Sequence, residues 1–108
     1  MANIGTFKKL ENGEFNGQIT TLALQARGVR ILPETNRSND KAPTHRVMVG
    51  PVEIGAGWTN IAQGTNREYI SVKLDDPSFN APIFANLTQD GDEGDNYSLI
   101  WSRRSDQR

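Results

Sequence analysis

Apolar and polar residues alternate one for one along much of this chain. The clearest stretch covers 68–74, where Ile70, Val72 and Leu74 point one way and Tyr69, Ser71 and Lys73 the other. A period of two is that of an extended strand, whose successive side chains leave opposite faces of a sheet. The same pattern predicts strands over 46–49, with Val47 and Val49 toward the core, over 83–87, and over 97–102, with Tyr97, Leu99 and Trp101 on one side. In the N-terminal half it predicts strands over 4–10, 15–24 and 29–32. Gly17 marks a bend or bulge within the longest of these runs. A further strand over 52–58 places Ile54, Ala56 and Trp58 on the core side, so that both tryptophans read as core residues, with the lining of a groove as the alternative for either. No window carries the repeat of an amphipathic helix.

Turn-forming clusters separate these runs. Asn12-Gly13 is a hairpin signal, because both residues tolerate the positive φ that tight hairpin turns require. Gly50-Pro51, residues 63–66 and the acidic segment 90–95 supply further connections. Residues 34–43 are polar and lack apolar anchors, which predicts a mobile loop. Residues 75–82 place two prolines around Phe79 and predict an ordered but irregular connection. Together these elements predict a single all-β domain over 1–108. It would have seven to eight short antiparallel strands arranged as a small barrel or sandwich-like meander. An OB-type barrel is the alternative, although that fold usually carries a helix between its middle strands. Free strand edges would permit a homodimer through an edge strand as well as a monomer.

Composition narrows the chemistry. The absence of cysteine excludes disulfides, zinc–thiolate sites and thiol catalysis, and predicts a reducing, cytoplasmic setting. No run approaches the ~20 apolar residues of a membrane-spanning helix. A formal net charge of −1 argues against binding duplex DNA through bulk charge.

Single motifs offer little. His45 is the only histidine and has no visible partner for metal binding or catalysis, so it reads as a surface residue. Asp75 and Asp76 precede Pro77, where an aspartate serves the turn by accepting backbone N–H groups. The acidic residues of 90–95 lack the length and distal glutamate of a calcium loop. Gly55-Ala56-Gly57 lacks the lysine and helix of a phosphate loop. No catalytic, cofactor or metal residues are therefore assigned. The feature that stands out is a surface. With the valines, Ile70 and Leu74 inward, Arg46, Met48, Tyr69, Ser71 and Lys73 face outward, with Gly55 and Gly57 on the same face. Cations beside a ring and a flat glycine patch suit a single strand of nucleic acid, whose bases stack while its phosphates meet positive charge. Arg27, Arg30, Arg103 and Arg104 would extend the basic strip. The expected function is a non-enzymatic binding module, for single-stranded nucleic acid or, as the alternative, for a protein partner that it regulates or inhibits.

Several segments together carry a resemblance. The block from Tyr69 to Phe79, followed by Ala81-Pro82-Ile83 and Ala85-Asn86-Leu87, is similar to the hallmark of a bacterial family of unknown function, domain-of-unknown-function family 736. The opening Ala2-Asn3-Ile4-Gly5-Thr6-Phe7, Lys41-Ala42-Pro43, Val52-Glu53-Ile54-Gly55-Ala56 and Tyr97-Ser98-Leu99-Ile100-Trp101 fit as well. The resemblance implies a small bacterial protein, often carried on plasmids or conjugative elements, and implies no activity. Thr44-His45, Asn80 and Phe84 depart from its usual residues, Phe84 standing where tyrosine is common.

Overall fold

The structure is a computed structural model that describes residues 2–22, 24–35, 38–91 and 94–101. Eight strands follow one another: β1 (Ala2–Lys9), β2 (Phe15–Thr20), β3 (Gln25–Pro33), β4 (His45–Val49), β5 (Val52–Ile61), β6 (Glu68–Leu74), β7 (Ile83–Gln89) and β8 (Asn96–Trp101). Each pairs antiparallel with the next, and β8 returns to pair with β1, closing the sheet into an up-and-down barrel. Of the architectures compatible with the sequence, this is the barrel; it is neither a two-sheet sandwich nor an OB-type barrel. Closure leaves none of the eight strands with an unpaired edge, so dimerisation through an edge strand would require breaking a ladder.

The alternation read from the sequence becomes an inside and an outside. Phe7, Ile19, Val29, Ile31, Val47, Leu74, Leu87 and Leu99 are fully buried within the barrel. Burying each such side chain is worth roughly 1.5–3 kcal/mol. An eight-stranded barrel is just wide enough for side chains to fill it. Tyr97 and Trp101 pack against this core, as their phase with Leu99 predicts.

Three departures from strict alternation shape the wall. Ile4 is an extra residue in β1 opposite β8. In β5, Ile54 is an extra residue between the pairs Met48↔Glu53 and Val47↔Gly55. A bulge of this kind advances the phase of everything beyond it by one residue. Ile54 stays buried, but Gly55 and Gly57 now turn inward while Ala56 and Trp58 turn outward, opposite Lys73 and Ser71 of β6. The placement of Gly55 and Gly57 on the outer face and of Trp58 in the core is thereby corrected. The third bulge lies where β2 meets β3, between Gly17 and Ile19, beside the glycine that marked it; the extra residue is in β3 at Arg27-Gly28, where Gly28 adopts φ 67°.

The strand expected over 15–24 ends at Thr20. Thr21 closes a tight turn there: its N–H donates to the Leu24 carbonyl (2.6 Å) and its hydroxyl accepts the Leu24 N–H (2.9 Å). Leu22 is thrown fully into solvent at the tip. Described residues of the 34–43 segment hydrogen-bond to residues beside it. The Glu34 N–H donates to the Thr44 carbonyl (2.8 Å), and the Lys41 carbonyl accepts the indole N–H of Trp58 (3.1 Å). Residues 75–82 are irregular, as read. Asp76 accepts bonds from the Ser78 N–H (2.9 Å) and hydroxyl (2.6 Å), and Phe79 packs against the core. These two bonds hold the Asp76 carboxyl below its ordinary pKa.

Candidate functional site

The turned-out Trp58 shapes a groove on the outer wall. It stands on β5 beside Ser71 of β6, which pairs with Asn86 of β7, which pairs with Ile100 of β8. One row along the strands, Ala56, Lys73 and Phe84 are similarly aligned. Between these rows lies a groove of about 250 Å³ with Trp58 at one side, Phe84 and Ile100 at the other, and Ser71 and Asn86 between. Val72 and Ala85, both buried, complete its lining. The indole is fixed by its bond to the Lys41 carbonyl, and the Lys73 ammonium stands 6.0 Å from the centroid of the Phe84 ring. The chemistry on offer is therefore two ring faces, one cation and one amide over a sheet of small side chains.

Of the residues read from the sequence as a partner face, Ser71 and Lys73 line this groove. Tyr69 lies on the same face one row away, opposite Asn60, and borders a separate recess with Arg67 and Thr88. Arg46 aligns with Lys73 across Ala56, but it is not a free cation. Its guanidinium lies 3.7 Å from Glu34 and 3.4 Å from Glu53, which neutralise much of its field. Met48 stands beyond it, between Arg30 and Glu53. Gly55 and Gly57 do not join the face. A Cβ at Gly55 would fall on the Lys73 carbonyl oxygen, and one at Gly57 would lie 2.7 Å from Cγ2 of Ile70 inside the barrel. Their absent side chains allow β5 to approach the core side of β6 closely. Arg103 and Arg104 lie outside the described residues.

His45 is not a surface histidine either. It is half-buried at the end of the barrel where β1, β3, β5 and β7 finish, with its ring centroid 6.2 Å from that of Phe15. Its Nδ1 lies 2.9 Å from the Thr44 hydroxyl. Burial, reinforced by the nearby Lys9 ammonium, holds its pKa below 6.5. Among the described residues no group of three or more His, Cys, Asp or Glu side chains is placed to hold a metal ion.

Comparison with known proteins adds one finding. Residues 3–104 match the family described as "Protein of unknown function (DUF736)". The chain belongs to the DUF736 family. No curated protein and no solved structure matches it. Membership of DUF736 accounts for the motif block from Tyr69 onward but assigns no chemistry to it, so the groove must be read from its own residues. Sequence reasoning offered a groove for Trp58 only as the alternative to the core, and missed Phe84, Asn86 and Ile100. The phase of Asn86 was legible once Leu87 is inside. That of Phe84 was obscured by its neighbours Ile83 and Ala85, all three being apolar. Trp58 was hidden by the bulge, whose one trace in the sequence is the glycine pair that follows it.

Proposed function

We propose that this DUF736 protein is a non-enzymatic binding module that takes a single strand of nucleic acid along the outer wall of β5–β8. The observation that carries the reading is the groove between Trp58 and Phe84, with Lys73 beside the ring and the Asn86 amide between. Bases present ring faces whatever their identity, and a base stacked on an aromatic side chain is worth about 1–3 kcal/mol. Lys73 answers the phosphate, and Tyr69 on the same face extends the track toward the barrel end. With Arg46 engaged by two carboxylates and a net charge of −1, ring stacking supplies most of the affinity and charge the smaller part.

The test is fluorescence anisotropy of a labelled single-stranded oligonucleotide at low and at physiological salt. Saturable binding is expected, weakened by salt through a small number of phosphate contacts, each contributing a slope of about −0.7 in log K against log salt. Trp58→Ala and Lys73→Ala should each weaken it while leaving the fold intact. Absence of binding at tens of micromolar protein in low salt overturns the reading. The second reading is a protein partner, which Ile100 favours by adding an aliphatic wall to the groove. Binding through an apolar protein interface would respond little to salt.

A further inference from the structure

The barrel end that holds His45 carries a further concavity, which shares no lining residue with the Trp58–Phe84 groove and meets the proposed track only at Tyr69. The fully buried side chains stop short of this mouth and leave a cavity of about 220 Å³, floored by Ile70 and Leu87. Small eight-stranded barrels either fill their interior with side chains or hold one small ligand. This one fills its middle and remains open at its end.

The lining has a definite chemistry. Phe15 and Tyr97 meet edge to face at 4.8 Å with an interplanar angle of 78°, and the His45 ring is tilted at 59° to that of Phe15. Such a wall offers both ring faces and ring edges to another ring. Lys9 and Glu68 line the same cavity from β1 and β6, two strands that are not neighbours in the barrel. No ion pair joins them among the described residues. The Lys9 ammonium instead stands 6.0 Å from the Phe15 centroid. An anionic ligand would meet the carboxylate of Glu68, and a cationic one would meet Lys9. A molecule with a charge of each sign, separated by an apolar body, complements both. The volume admits a single ring.

We propose that the mouth between Lys9, Phe15, Tyr97 and Glu68 is a binding site for a small amphoteric molecule, with one ring, an acid group toward Lys9 and an amine toward Glu68. The probe is 4-(aminomethyl)benzoate, titrated into isotopically labelled protein and followed by NMR, with benzoate and benzylamine as half-probes. Saturable shifts are expected at the mouth residues, with the full probe bound at least about ten-fold more tightly than either half. Lys9→Met and Glu68→Gln, both at exposed positions, should each weaken it. Lys73→Ala, in the outer-wall groove and outside the lining of the mouth, should leave it unchanged, which separates the two sites. The proposal is overturned if the full probe causes no saturable shift, if a half-probe binds equally well, or if both charge variants bind as the parent does.

Discussion

At the residue scale, two glycines and one histidine depend on which side of the wall they face. On an outer face, Gly55→Ala and Gly57→Ala would be close to neutral. Facing inward, both should destabilise, and unequally. At Gly57 the nearest atom is a methyl of Ile70, which can shift, so the cost should lie within the ~1–3 kcal/mol of overpacked cores. At Gly55 it is the Lys73 carbonyl oxygen, which is part of the β5–β6 ladder and cannot yield without breaking it. Urea denaturation of the two variants should therefore rank Gly55→Ala as the less stable. His45 sets a pH dependence. Its folded pKa lies below 6.5, so between that lowered value and 6.5 the unfolded chain takes up a proton that the folded chain refuses. Stability should be fully present above this interval and fall as pH drops through it. Urea midpoints measured from pH 7.5 to 5.5 should show the decline in the parent and a flatter profile in His45→Gln. Asp76 titrates below its ordinary 3.8 and does not contribute in this range.

At the element scale, β5 decides the character of the outer wall. Strict alternation from Ile54 would bury Trp58. The one-residue bulge instead presents it to solvent, where its indole N–H grips the loop between β3 and β4. Trp58 thus has two separable roles. Trp58→Phe keeps a ring face but removes the hydrogen bond to the Lys41 carbonyl, worth about 0.5–1.5 kcal/mol. Hydrogen exchange and limited proteolysis over 38–43 should increase in this variant, while oligonucleotide binding is largely retained. Trp58→Ala should lose both. If Trp58→Phe abolishes binding as completely as Trp58→Ala, the stacking role assigned to the ring is wrong. The β2–β3 turn teaches a related lesson. Leu22 extends an apolar run that reads as strand, yet Thr21 closes the turn around it. A local side-chain bond to the backbone overrides the hydrophobic pattern here.

At the scale of the whole molecule, closure is the organising fact. The ladder between β1 and β8 places Ala2 opposite Trp101, so the two ends of the barrel sequence lie side by side. All other neighbours are joined by consecutive connections, and no strand crosses over another. Joining the ends by a short flexible linker and reopening the chain in the turn at 63–66 should therefore give a circular permutant that keeps every ladder. It should unfold cooperatively, with the β-rich circular dichroism of the parent. A permutant without cooperative unfolding would mean that the 63–66 hairpin is needed to set the register of β5 and β6. Closure also explains where binding can occur. With no free edge for a partner strand, the surfaces that remain are the outer wall and the barrel ends, which is where the groove and the mouth cavity lie.

Much of this was legible in the chain itself. The two-residue period of Ile70, Val72 and Leu74, the turn residues between runs and the absence of helical repeats determine an antiparallel all-β domain, because each is a local property of consecutive residues. The outward direction of Arg46, Met48, Tyr69, Ser71 and Lys73 follows from the same local phase. Tertiary structure alone decided the rest. The bulge at Ile54 depends on how β5 meets β4, and it moved Gly55 and Gly57 inside and Trp58 out. The neutralisation of Arg46 depends on Glu34 and Glu53, brought beside it from other strands and loops. The meeting of Lys9, Phe15, His45, Glu68 and Tyr97 at one mouth depends on closing the sheet. A strand's own residues specify which of its side chains share a face; which face meets the core, and what stands beside it, is set by pairing with residues far away in the chain.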